Sequence, residues 1–305
     1  MIKKIWGIGL FWFLINLCFG NSEHFINIKK MVNKGRPLTQ QEAEELRKYV
    51  LSLNFEDIIK IGEEIAEEMG PKWSSDNGYV ISMGMILGPY FEEKKIDIKL
   101  LLKEMKINSH SPALRSFLAK AIVSDLWEER NIYKGDTSQE EMKIVNEYIL
   151  TAKEILKDRN EDDEFKSYLI STLGELSNII KKEAIVDETV EIFFERLNNP
   201  QNSDKTLIPS IRILSFIAQG ETKVKRKERL KEFLLGIFHN RKLYSEKVQT
   251  EIALRLVYTF ECKEILEELK KMENEIKDIF LKKDIQDLIK NIEEGRIPLK
   301  SPSSP

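Results

Sequence analysis

Apolar residues in the second half of the chain return in register every 41 residues, and this constrains the fold more than any other feature. Ile170, Ile211 and Ile252 fall at that offset, as do Leu176, Ile217 and Tyr258. Phe193 and Phe194 align with Leu234 and Leu235, and Leu197 aligns with Phe238. Within an interval the apolar spacing is helical. Phe165, Tyr168, Leu169, Leu173, Leu176, Ile179 and Ile180 are separated by steps of one, three or four, which puts them on one helical stripe. No long run alternates strictly between apolar and polar residues, so no sheet is expected. An interval of this length holds two helices and their turns. One such pair cannot cover its own apolar face, so neighbours must stack on it.

Helix start signals fit this reading. Thr39 with Glu42, after Pro37, forms a capping box, as does Ser138 with Glu141. Asn54 and Asp187 suit N-cap positions. Asp163, Asp204 and Ser245 fall in the 41-residue register as expected helix caps. With only 14 glycines and 9 prolines, the chain lacks the turn residues of a β protein.

Residues 187–220, DETVEIFFERLNNPQNSDKTLIPSIRILSFIAQG, resemble a HEAT repeat. Phe193, Phe194 and Leu197 stand in the first helix, Asn199-Pro200 in the turn, and Ile211-Arg212 with Leu214 and Ile217 in the second. Residues 97–129 look similar, with LLLKEM, the turn at Ser111-Pro112, and Leu114-Arg115. Residues 146–180 and 226–260 lie on the same frame without the proline turn, Lys247-Val248 stands in place of an apolar–Arg pair, and 262–294 form a shorter fifth unit. The resemblance implies an all-α fold, a right-handed superhelical solenoid of antiparallel helix pairs. It also implies an extended surface for a protein partner. The expected organisation is a signal peptide at 1–20, an N-terminal helical cap at 21–96, the HEAT-like array at 97–294 and a disordered tail at 295–305.

The N-terminus reads as targeting. Lys3 and Lys4 precede an apolar run from Ile5 to Phe19, broken only by Asn16, and Cys18 and Gly20 sit at −3 and −1 of a cut before Asn21. The run is shorter than the ~20 residues that cross a bilayer comfortably. An exported protein, periplasmic or secreted, is therefore expected. The alternatives are an uncleaved anchor, giving a membrane-tethered structural protein, or a lipoprotein carrying its lipid on Cys18, against which bulky Leu17 stands. Cleavage leaves Cys262 alone, so no disulfide is expected and stability must come from core packing.

The 48 basic and 51 acidic residues give a net charge of −3, which does not fit a nucleic-acid binder. The basic run Lys223 to Lys231 reads equally as a patch for phosphates or an acidic partner and as a soluble inter-repeat turn entering a helix. Asp158, Asn160 and Asp162 match the first positions of a calcium loop, but Asp163 replaces its glycine and Leu169 its terminal acid. Glu63, Glu64, Glu67 and Glu68 form an acidic helix face without a histidine nearby in sequence, expected to meet solvent. His24, His110 and His239 lack ligand spacing, and surface or helix-end roles are expected of His110 and His239. Cys262 opens a helix, where the dipole could lower its pKa, but a half-buried structural thiol is the better reading.

No nucleophile, acid–base set, metal site or cofactor site emerges. The expected function is a non-catalytic scaffold or adaptor for an unidentified protein partner. An enzyme, or a small-ligand or glycan-binding protein on the same frame, is the alternative. Exposed second-helix residues Lys166, Arg212 and Lys247 are the candidate contacts, with Trp73 and Tyr79 from the glycine-rich segment before the array.

Overall fold

A computed structural model describes residues 39–69, 90, 96–128, 139–221 and 223–296. The expectations placed on residues 1–38, Trp73, Tyr79, Ser138 and 297–305 lie outside these. The described residues form twelve α-helices and two short 3-10 turns, without a strand. The fold is all-α. The chain divides into two compact units, with the boundary between Asp125 and Leu126.

In the first unit, α1 (Gln40–Ser52) opens on the expected capping box. The Glu42 amide donates to Thr39 Oγ1 at 3.3 Å and the Thr39 amide to Glu42 Oε2 at 2.8 Å. Asn54 caps α2 (Phe55–Met69), accepting from the Asp57 amide at 2.9 Å. Asp97 caps α3 (Ile98–Met105). α4 (Pro112–Glu128), whose last three residues fall past the unit boundary, carries proline at its first position, where no amide is needed, and Ser111 Oγ accepts from the Leu114 amide. Ile58, Ile61, Ile65, Leu101, Met105, Leu114 and Leu118 are buried. Arg115, from the Leu114-Arg115 pair, is buried too, and its Nε donates to Met105 O at the end of α3, satisfying a carbonyl that the helix leaves open.

The acidic face of α2 is not wholly solvated. Glu63 accepts the Ser111 amide at 3.0 and 3.1 Å and lies 2.9 Å from His110 Nδ1, while His110 Nε2 lies 2.9 Å from Glu104. His110 thus bridges two carboxylates and is largely enclosed, not at the surface. The contact is long-range, so sequence proximity could not reveal it.

The second unit holds four helix pairs: α5 (Gln139–Lys157) with α6 (Asp163–Ile180), α7 (Glu183–Leu197) with α8 (Asp204–Gly220), α9 (Val224–His239) with α10 (Glu246–Phe260), and α11 (Leu266–Glu275) with α12 (Ile279–Glu293). Each helix packs on its pair-mate, and α6, α8, α10 and α12 pack in succession. This is compatible with a helical repeat fold. The register residues Ile170, Ile211 and Ile252 are all fully buried, as are Leu176, Phe193, Leu197, Leu234 and Phe238. α6 comes so close to α8 that a Cβ on Gly174 would meet Ile213 at 2.6 Å.

Several local expectations are corrected. Ser245 does cap α10, accepting the Val248 amide. Asp163 and Asp204 are instead the first residues inside α6 and α8, whose caps are Asp162 and Ser203. Asp187 lies within α7 and pairs with Arg226 of α9 at 2.9 Å. The basic run at 223–231 does enter a helix, and its charges meet the acidic side of α7: Lys223 pairs with Glu183, and Arg229 with Glu191. Cys262 is completely buried, and burial, helped by the Glu264 charge, pushes its thiol up to about 12, opposite to a dipole-activated cysteine.

Candidate functional site

A cleft of about 550 Å³ opens in the second unit where the α5–α6 turn meets the α7–α8 turn. Its walls carry Lys153, Lys157, Arg159, Lys166 and Arg196, against the carboxylates of Asp163 and Glu195. The surplus of positive charge is local, since the chain as a whole is acidic. A concave wall of one sign concentrates its field on the space it encloses.

Two of these cations stand where the repeat register places apolar side chains. Lys166 sits 41 residues before Leu207 and 82 before Val248, both of which are buried. Arg196 sits 41 residues before buried Ile237. Both cations follow their register into the interior: Lys166 is 5% exposed and Arg196 7%. The expectation that Lys166 is an exposed contact is therefore wrong. It lies one turn before Ile170 on the same buried helix face.

The two are satisfied differently. Arg196 donates from Nη1 to Leu156 O at 2.5 Å and from Nη2 to Thr206 Oγ1 at 2.9 Å, tying the end of α5 to the start of α8. Asn202 Nδ2 donates to Arg196 O at 2.8 Å and fixes the turn. Arg196 Nε and Ser203 Oγ are buried without a hydrogen bond. Among the described residues, Lys166 Nζ has no hydrogen-bond or ion-pair partner. Burial pulls its amine below the ordinary lysine value; the Asp163 charge opposes that shift, Arg196 adds to it, and Glu161 and Asp158 oppose it. Lys153 and Arg159 likewise have no such partner. Lys157, by contrast, pairs with Glu195 at 2.9 Å.

The other expected contacts lie elsewhere. Arg212 is exposed, but its guanidinium is held by Glu251 of α10 through two bonds of 3.1 Å, and Arg255 shares that carboxylate. Lys247 is exposed in the first turn of α10. The structure does not gather Lys166, Arg212 and Lys247 into one cleft; only Lys166 lines this one. Asp158 and Asp162 spend their carboxylates on backbone amides of the α5–α6 turn and α6, which leaves them as turn and cap residues. Among the described residues there is no metal-binding group of three or more His, Cys, Asp or Glu, and no helix is long and apolar enough to cross a membrane.

Sequence reading did not name Lys153, Arg159 and Arg196. The signal for Arg196 was present, because the same offset that aligns Leu197 with Phe238 aligns Arg196 with Ile237. Comparison of the chain with family models, with curated proteins and with solved structures finds no match.

Proposed function

We propose that this chain is an exported helical-repeat scaffold, periplasmic or secreted, that holds a protein partner and catalyses no reaction. In this reading the helix pairs stack into a right-handed superhelical solenoid, and the partner places an acidic segment in the basic cleft. The observation that carries it is Lys166, a lysine only 5% exposed that lines that cleft and has no hydrogen-bond or ion-pair partner among the described residues. A partly desolvated cation of this kind weakens folding, and an anion placed in the cleft would offset that cost. The packing of α6, α8, α10 and α12 in succession supports the stacked arrangement. Exposed Arg212 and Lys247 are further contacts of the same partner in this reading.

A pull-down from the native envelope fraction tests it. The purified chain is compared with a Lys153→Glu/Arg159→Glu variant, which changes cleft residues without altering the core. The expected result is one stoichiometric acidic protein, captured by the parent chain and lost with the variant. Capture unaffected by the charge reversal, or no capture at micromolar bait, overturns the reading.

A further inference from the structure

Resting on the reading of the cleft as the partner-binding site, we propose that its floor is a subsite for one phosphate monoester, so that the partner is held by a phosphorylated side chain. Three cations without partners among the described residues border the space, and each comes from a different element: Lys153 from α5, Arg159 from the α5–α6 turn and Lys166 from α6. Arg196 lines the same cleft with Nη1 on Leu156 O and Nη2 on Thr206 Oγ1, so it adds charge there while only its Nε lacks a hydrogen bond. Five cations against two carboxylates leave a surplus that one carboxylate cannot neutralise. A phosphate monoester carries close to two negative charges at neutral pH and presents three acceptor oxygens in separate directions. That matches donors arriving from three elements better than a planar carboxylate, which a single arginine fork satisfies.

The fourth wall agrees. Ser203 is the N-cap of the 17-residue α8 and lines the cleft, yet its hydroxyl caps none of that helix's amides. The positive end of α8 therefore borders the same space. The nearby carboxylates are accounted for. Asp204 accepts the Ser245 hydroxyl and Glu195 is held by Lys157, while Asp163, with Asp158 and Glu161 whose charges also reach Lys166, opposes an incoming anion. The register adds an independent argument: Leu207 and Val248 occupy the Lys166 position in the next two pairs, so packing alone calls for an apolar residue there.

Isothermal titration at low ionic strength tests this with four probes: inorganic phosphate, an acidic peptide bearing one phosphoserine, the same peptide with glutamate at that position, and the same peptide with serine. The phosphoserine peptide is expected to bind one site, to be displaced by inorganic phosphate, and to exceed the glutamate peptide by about ten-fold or more. Lys166→Met should abolish this preference, and Lys166→Arg, which keeps the charge, should retain most of it; circular dichroism confirms that both variants are folded. Equal binding of the glutamate and phosphoserine peptides overturns the phosphate subsite while leaving an acidic partner in place. Phosphate binding without phosphopeptide binding overturns it too, as a small-anion site. Unchanged binding by Lys166→Met overturns it by placing the site elsewhere. If neither peptide binds but the pull-down captures its partner, this inference alone fails; if both experiments fail, the reading of the cleft fails with it.

Discussion

Ser245 donates its hydroxyl to the Asp204 carboxylate at 2.7 Å, across 41 residues of sequence. Asp204 is the first residue of α8 and Ser245 the N-cap of α10, so the bond joins the starts of successive second helices. The contact is one of a series. Lys205 meets Glu164 at the same separation, Arg212 meets Glu251 and Arg226 meets Asp187 at 39 residues, and Gln219 meets Thr259 at 40. The Phe194 and Phe233 rings stack with centroids 3.6 Å apart, again 39 residues from each other, and Arg229 lies over the Phe194 ring. Like positions touch because like helices pack side by side.

Ser245 serves two neighbours, accepting the Val248 amide and donating to Asp204. Ser245→Ala removes both bonds and should destabilise the second unit by about 1 kcal/mol, the usual size of a lost N-cap. Asp204→Ala removes only one bond of an exposed pair and should cost a few tenths of that. Urea denaturation of the three proteins checks the order; equal losses would mean that the cap contributes nothing.

Gly174 sits mid-helix, where alanine is ordinarily better by roughly 1 kcal/mol. Here an added Cβ would lie 2.6 Å from Ile213 Cδ1 and 2.7 Å from its Cγ2. Ile213 is β-branched and stiff, so it cannot turn aside from both contacts. Gly174→Ala should therefore destabilise by about 1–3 kcal/mol through overpacking, and Gly174→Ala/Ile213→Ala should recover part of the loss. A thermal melt in which Gly174→Ala alone raises the midpoint would show that α6 and α8 are not held this closely.

The periodic core was legible in the sequence because buried apolar residues repeat at both the helical and the 41-residue period. The Thr39 box and the Asn54 and Ser245 caps were legible because their partners lie three residues away. Asp163 and Asp204 misled because acidic residues favour the first turn as well as the cap, and the cap lay one position earlier. Lys166 misled for another reason: a lysine is ordinarily solvated, and only its register against Leu207 and Val248 marks it as buried. The His110 bridge between Glu63 and Glu104 joins three elements that no periodicity connects.

Lys181 and Glu261 end α6 and α10 with φ of 49° and 54°. A side chain in this left-handed region costs about 1 kcal/mol that glycine does not incur. Lys181→Gly and Glu261→Gly should each stabilise the protein by about 0.5–1 kcal/mol, additively because the sites are distant. Chemical denaturation checks this, and a loss of stability at either position would mean that its side chain contributes more than its backbone strain.

Cys262 is enclosed, and its thiol is pushed up to about 12, first by burial and then by the Glu264 charge. Thiolate is therefore scarce at pH 8 and out of reach. Iodoacetamide should leave the Cys262 peptide unmodified in the native protein and label it fully in urea, as read by peptide mass. Labelling within minutes under native conditions would show that this end of α10 opens readily.

Lys166 gives the sharpest link between stability and function. Replacing a buried, unpartnered charge with an apolar side chain of similar length should stabilise, so Lys166→Met should gain on the order of 1 kcal/mol at neutral pH. The gain should depend on pH in a defined direction. Burial lowers the native amine below the ordinary lysine value of 10.5, which the unfolded chain keeps. Between the two, the unfolded state binds a proton that the native state does not, so parent stability attributable to Lys166 rises with pH across that window. Asp163, Glu161 and Asp158 temper the shift, and Arg196 enlarges it. Lys153, Lys157 and Arg159, with Glu195, line the same cleft. The advantage of Lys166→Met should thus be complete below the lowered native value and shrink as pH climbs through it toward 10.5. Urea titrations of both proteins at a series of pH values check this, and a gap that stays constant or widens with pH would show that the Lys166 amine is not desolvated.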